Sequence, residues 1–285
     1  MSKTARVKVN GVELAYEEAG DGERAFVLVH GFTGCRADFE TQLPALAKRG
    51  RTIALDQRGQ GESDRADRAT YHFAQLADDL LGFADALGLD RFDLLGHSMG
   101  GMVAQRFTLA NPDRVASLVL MDTASASLGE RLPRDIFEKG AAIGRAAGME
   151  KLHEIIRSNA ADDPSRTAPD RRLEREWGAE RYWARIQKAF TAMDVEAFEA
   201  LGLQLGAAEA TTPRLGEIRC STTVMVGAED APFLEPSRAM HEAIAGSQLV
   251  VIPGGGHCPQ IETPAAWLAA IEAHLSRARA GNPPS

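Results

Sequence analysis

Apolar positions along this chain follow two spacings, and the shift from one to the other divides it. Ala5–Val9 and Val12–Glu17 are short strand-like runs on either side of Asn10-Gly11, a pair that predicts a tight β-hairpin turn. Short apolar runs follow at Ala25–Val29, Thr52–Leu55, Phe92–Leu95, Val115–Met121, Thr222–Val226 and Gln248–Val251, as expected of strands covered on both faces. Between them the spacing becomes helical. Asp38–Ala47, Tyr71–Leu87, Met99–Ala110, Glu235–Ile244 and Pro264–Ser276 read as helices. In Tyr71–Leu87, residues Phe73, Leu76, Leu80, Phe83, Ala84 and Leu87 recur every three or four positions, and Gly88 stops the run. Strands alternating with helices through short joins predict an α/β fold, a mostly parallel eight-stranded sheet with helices on both faces.

The alternation fails from about Ala124 to Gly216. This stretch is helical and charged, with breaks at Pro133, Gly148, Asp163-Pro164 and Pro169. We therefore expect a core domain from residues 1–123 and 217–285, with a helical lid inserted at 124–216. Trp183, Ile186, Phe190 and Met193 share one helix face. Most of that face must be core, and part of it should roof a pocket, with Trp183 as the candidate lining residue. Arg166, Arg171, Arg172 and Arg175 could attract an acidic substrate, but a solvated face is the simpler expectation.

Composition narrows the function classes. The chain has 285 residues, 44% hydrophobic and 25% charged, with a formal charge of −8 and no basic stripe, which argues against a nucleic-acid partner. No apolar run reaches bilayer length, so no membrane partner is expected, and without an apolar stretch in Met1–Val9 no secretory signal is expected either. A cytoplasmic location follows as the expectation. Cys35, Cys220 and Cys258 are too few and too scattered for a disulfide framework. Gly281–Ser285 reads as a frayed tail.

The chemistry centres on Gly96-His97-Ser98-Met99-Gly100, which lies between a predicted strand and a predicted helix. A serine at such a turn is held exposed on a strained backbone, with the helix N-terminus behind it favouring developing negative charge. Ser98 is the expected nucleophile. A serine hydroxyl needs a base, and the base needs an orienting partner. His257 follows three glycines after a strand and is the expected base. His30 directly follows a buried strand and should brace the neighbouring loop. His97 should point away from Ser98, while His72, His153, His241 and His274 lie in helical segments and read as ordinary packing or surface residues. Asp230 and Asp122 both follow strand ends and compete as the acid, with Asp230 preferred. Glu229 should face the other way.

These motifs resemble, in order, the landmarks of the α/β-hydrolase superfamily, in the serine hydrolase branch with an inserted lid. The residues that carry the resemblance are His30-Gly31-Phe32, Asp56-Gln57-Arg58-Gly59-Gln60-Gly61-Glu62-Ser63, Gly96–Gly101, Gly227–Asp230 and Gly256-His257. The resemblance implies a nucleophile–acid–base order of Ser98, Asp230 and His257. It also implies oxyanion donors from the backbone N–H groups of Phe32 and Met99, and structural roles for Asp56, Arg58 and Ser63. The Phe32 ring would line an acyl pocket or pack. The chain is similar to 3-oxoadipate enol-lactonases and to methyl esterases of polyketide tailoring. Hydrolysis of a small-molecule carboxylic ester or lactone through an acyl-enzyme is therefore expected, with no metal and no organic cofactor. Ser98 stands where haloalkane dehalogenases and epoxide hydrolases place an aspartate. His97 stands where C–C bond hydrolases usually carry asparagine. Cleavage of a vinylogous diketone remains an alternative, as does a ligand receptor or lyase on the same fold.

Overall fold

The hairpin forms where Asn10-Gly11 predicts it. β1 (Lys3–Val9) and β2 (Val12–Ala19) pair antiparallel across those two residues, both of which adopt positive φ. The computed structural model describes residues 2–129, 132–161 and 166–280, so the break expected at Asp163-Pro164 and the tail Gly281–Ser285 lie outside the described residues.

The sheet continues through β3 (Phe26–Val29), β4 (Thr52–Leu55), β5 (Phe92–His97), β6 (Val115–Met121), β7 (Ser221–Gly227) and β8 (Gln248–Ile252). Its order is β1-β2-β4-β3-β5-β6-β7-β8, and only the β1–β2 and β2–β4 pairs are antiparallel. Side chains alternate between the two faces of each strand. Val27, Val29, Leu94 and Leu120 therefore join one buried cluster, with α2 (Phe73–Ala86) and α3 (Met99–Ala110). Phe26, Leu28, Leu95 and Met121 join another on the opposite face, with α11 (Pro264–Ala280), where Trp267 and Ile271 are fully buried.

Two expected helices differ from the sequence reading. In place of one helix over Asp38–Ala47 there is a 3₁₀ turn, Arg36–Phe39, and a single turn, α1 (Leu43–Leu46). Pro44 explains the break: it has no N–H to give, and its ring collides with the carbonyl four residues back. The Asp38 carboxylate meanwhile accepts the Cys35 N–H at 3.3 Å, holding the first turn tight. The helix expected at Glu235–Ile244 instead runs as α9 (Ala231–Ala243), starting directly after Asp230 with Pro232 in its first turn.

Among the described residues, five α-helices lie between β6 and β7: α4 (Arg134–Ala147), α5 (Met149–Asn159), α6 (Ala168–Trp177), α7 (Ala179–Ala192) and α8 (Val195–Ala207). Gly148 and Gly178, at φ +88° and +82°, turn the chain between neighbours. Their apolar faces merge with the sheet core, since Phe137, Phe190, Met193, Phe198 and Leu201 belong to the cluster that holds Phe83 and Met102. Polar ties reinforce the join. The Tyr71 hydroxyl donates to Asp194 at 2.6 Å, the Asp194 N–H donates to the Gly59 carbonyl at 2.8 Å, and Arg185 pairs with Asp38 at 2.6 Å. Among the described residues no helix is long and apolar enough to cross a membrane.

The loop after β4 is held from beneath by a buried ion pair. Arg58 makes two hydrogen bonds to the Asp79 carboxylate on α2, at 2.5 and 2.7 Å, and both side chains are almost fully shielded. Removing one partner strands a buried charge, which costs far more than the pair contributes. Asp79→Ala should therefore lower stability by about 3–5 kcal/mol in chemical denaturation. A loss under about 1 kcal/mol would mean the guanidinium finds another partner or water.

Candidate active site

Ser98 sits between β5 and α3 at φ +51°, ψ −117°, a region that costs a non-glycine residue about 1–3 kcal/mol. Its backbone is fixed on three sides. The Ser98 N–H donates to the Met121 carbonyl on β6 at 2.9 Å, while its carbonyl accepts the Thr123 hydroxyl at 2.6 Å and the Gly101 N–H at 2.9 Å. The turn needs glycine at position 100 for space: a Cβ there would lie 2.5 Å from the carbonyl oxygens of both Val29 and His30. The helix thus packs directly against the end of β3.

Three of the expected residues come together at the carboxyl edge of the sheet. The Ser98 Oγ lies 2.9 Å from His257 Nε2, and His257 Nδ1 lies 2.8 Å from Asp230 Oδ2. The geometry therefore fits a neutral imidazole that donates its Nδ1–H to Asp230 and accepts the serine proton at Nε2. Burial works against a charged His257. The Asp230 hydrogen bond and charge, helped by Glu262 and Asp170, outweigh it and raise the imidazole above its ordinary value.

Asp122, the competing acid, does not reach His257. Its Oδ1 accepts the Gly227 N–H at 2.8 Å, tying the end of β6 to that of β7. Glu229 is exposed, as expected, beside its buried neighbour Asp230. Among the described residues, Asp122, Asp230 and His257 form a group whose potential ligand atoms lie within 4.8 Å of one another. His257 Nδ1 is committed to Asp230, so we read this group as hydrogen-bonded rather than as a metal centre.

His30 braces its loop. Its Nε2 accepts the Gln57 N–H at 3.1 Å, its Nδ1 bonds the Gly31 carbonyl at 2.8 Å, and its own carbonyl accepts from the Gln57 side chain. Asp56 accepts the Arg36 and Glu62 N–H groups and pairs with the Arg36 guanidinium, and the Ser63 hydroxyl bridges Asp56 and Ala15 across the loop.

His97 differs from expectation. It lines the same cavity as Ser98 instead of turning away, and its Nε2–H donates to the backbone carbonyl of His257 at 2.7 Å. Burial, then the neighbouring His257 charge, push its pKa down to about 3, so it stays neutral. Sequence reading missed this contact because nothing in local spacing brings position 97 beside 257.

The cavity in front of Ser98 has a volume of about 200 Å³. Phe32, Arg185, Ile186, Ala189 and Cys258 line it together with His97 and His257. The Phe32 ring both lines this space and packs, edge-on to Phe137 at 5.7 Å and tilted against Phe198 at 5.5 Å. Phe32, after β3, lines the cavity with Ser98, and Met99 directly follows Ser98 as the first residue of α3. Trp183 does not line the cavity. It lies about one helical turn before Ile186, packs against His153 and Tyr182, and donates its Nε1–H to Glu174 at 2.9 Å. Of the arginines weighed as an attractor for an acidic substrate, none lines the cavity: Arg166 pairs with Glu174, and Arg172 donates to the Gly254 carbonyl. Among the described residues, Arg185, paired with Asp38, brings a cationic side chain to the border of the cavity.

Comparison with known proteins matches this arrangement to one family. Residues 24–264 fit the family model described as alpha/beta hydrolase fold. A Variovorax paradoxus protein provisionally named as a carbamate hydrolase is 32% identical over 283 residues, covering 95% of this chain and 99% of the relative. A 2-hydroxy-6-oxononadienedioate/2-hydroxy-6-oxononatrienedioate hydrolase from Klebsiella pneumoniae is 30% identical over 270 residues, covering 91% of this chain and 87% of that one. The solved enol-lactonase of Burkholderia xenovorans superposes with a TM-score of 0.82 at 26% identity, covering 95% of this chain and 100% of that structure. The sheet order, the strained serine turn and the extent of these matches lead to one conclusion: the chain belongs to the α/β-hydrolase fold family.

Proposed function

We propose that the protein is a serine hydrolase that cleaves a small-molecule carboxylic ester or lactone through an acyl-enzyme. The Ser98–His257–Asp230 hydrogen-bond chain, with links of 2.9 and 2.8 Å, carries this reading. In the proposed reaction the Ser98 Oγ attacks the ester carbonyl carbon while His257 Nε2 takes the hydroxyl proton. The N–H groups of Phe32 and Met99 stabilise the oxyanion that forms. The carbon–oxygen bond to the leaving group breaks, and His257 gives its proton to the departing alkoxide. Water, deprotonated by His257, then attacks the acyl carbon and releases the acid and free Ser98. The helices between β6 and β7 act as the lid, with α7 contributing Ile186 and Ala189 to the substrate space.

A second reading is cleavage of a carbon–carbon bond in a vinylogous diketone, favoured by the Klebsiella relative, whose named substrate carries an enol and a ketone across a diene. A turnover panel of simple esters, enol-lactones and such diketones decides between them. Ester or lactone turnover should exceed that of the diketone, and the reverse order would overturn the first reading.

Covalent labelling tests the nucleophile. One phosphonate group per chain should attach to the peptide containing Ser98, and Ser98→Ala should fold but remain unlabelled. Labelling that survives the substitution would move the nucleophile elsewhere.

The pH profile tests the base. His257 accepts a proton only when neutral, and its pKa is raised above the ordinary value of 6.5. Activity should therefore fall with decreasing pH through a midpoint above about 6.5. A limb well below that point would indicate a different base, or a step other than chemistry limiting the rate.

The cavity lining makes a size prediction. Ile186→Ala opens space beside Ser98 and should shift relative kcat/KM toward longer acyl chains by about tenfold. Trp183→Phe should leave that ratio unchanged, because its ring packs outside the cavity. Equal effects from both substitutions would mean that lid packing, not local space, sets the preference.

A further inference from the structure

Asp122 stands at the same edge of the sheet as Ser98 and Asp230 but takes no part in their hydrogen-bond chain. It is fully buried, and its backbone is held at φ +45°, a conformation a non-glycine residue rarely adopts without a reason in its surroundings. Its N–H donates to the Met225 carbonyl at 2.9 Å and its Oδ1 accepts the Gly227 N–H at 2.8 Å. The other oxygen, Oδ2, is buried as well. That oxygen meets no N–H or O–H donor among the described residues. The Asp122 carboxyl lies against Asp230, in a group with His257 whose polar atoms fall within 4.8 Å of one another.

Two ionised carboxylates in such a place would repel each other while one of them lacked a donor, both deprived of water. A single proton between them removes both problems. It supplies the missing donor and reduces two negative charges to one.

We propose that Asp122 is kept as a neutral carboxylic acid whose O–H donates to the Asp230 carboxylate, making Asp122 a positioning residue that holds Asp230 toward His257. This rests on the proposed roles of Asp230 and His257. The titratable groups facing Asp122 are Asp230 after β7, His257 after β8 and Glu262 in α10 (Pro259–Glu262). Burial is the strongest influence on the Asp122 carboxyl. With the Asp230 charge and contact and the Glu262 charge, it pushes the group well above the ordinary carboxylate range, against only the Gly227 N–H. With Asp122 neutral, Asp230 is the one charge in direct contact with the imidazolium, and its rotation is fixed so that Oδ2 stays 2.8 Å from Nδ1.

Two substitutions and two measurements test this. Asp122→Leu removes the donor and should lower kcat on an activated ester about tenfold or more, with KM nearly unchanged. Asp122→Asn restores an N–H donor of the same shape and should recover kcat to within about threefold, with the acid limb of the pH profile unmoved. If Asp122 were ionised, Asn would delete a negative charge beside His257 and shift that limb downward, which would overturn the proposal. Full activity in the Leu variant would overturn the positioning role. Should the Leu variant fail to fold, the infrared difference between wild type and Asp122→Asn at neutral pH decides. It should contain the C=O stretch of a protonated carboxylic acid, and its absence refutes the neutral state. That spectrum needs no turnover. A protein that shows the band but hydrolyses no ester would retain the carboxyl pair and refute the proposed activity instead.

Discussion

The structure depends most on the backbone of one residue. Ser98 is held in a conformation it would not choose, and the bonds that hold it come from β6 through Met121, from Thr123 just beyond it, and from the first turn of α3. The turn is possible only because Gly100 lets the helix approach the carbonyls at the end of β3. Strain of this kind persists where the surroundings over-determine it. Here the surroundings are the register of three adjacent parallel strands, so any shift in that register would release the serine from its place.

The remaining groups are brought to Ser98 by a buried polar scaffold rather than by apolar packing alone. The loop carrying Phe32 is braced by His30 and Gln57, and the next loop by Asp56, Arg58 and Ser63. On the other side, the His257 loop is held at its own carbonyl by His97 and at the Gly256 N–H by Glu262, at 2.5 Å. Each buried polar atom spent in this way demands a partner, and a partly satisfied network is costly. Precision at the site and burial of polar groups are thus the same structural fact.

Much of this was legible in the sequence, for identifiable reasons. Strands buried on both faces leave continuous apolar runs, so the order of elements could be read, and the Gly96–Gly100 spacing marks a turn with few alternatives. Choosing between Asp122 and Asp230 was harder, because each follows a strand and both are buried. Only the third dimension shows that one reaches His257 and the other reaches Gly227. In α7 the helical period identified the apolar face but not which turn overlies Ser98, so Trp183 was expected where Ile186 stands. Pro44 could have been read as a break within Asp38–Ala47, since its effect on a helix is local. The His97–His257 contact spans 160 positions and leaves no local trace.

The same polar scaffold shapes how the site takes up protons. His97 sits 5.1 Å from His257, ring to ring, but with a pKa near 3 it neither competes for a proton nor adds positive charge at working pH. Glu262 behaves differently. Burial, against the Gly256 N–H that lowers it, carries its pKa to about 7, where a small change in pH alters its charge. Its negative charge supports the imidazolium of His257, and the imidazolium in turn favours ionised Glu262. As pH falls, protonating Glu262 withdraws part of the support that raises His257, while protonating His257 makes Glu262 harder to protonate. One backbone segment carries both groups, with Glu262 in α10 accepting the Gly256 N–H, so the fold that positions the imidazole also sets the charge beside it.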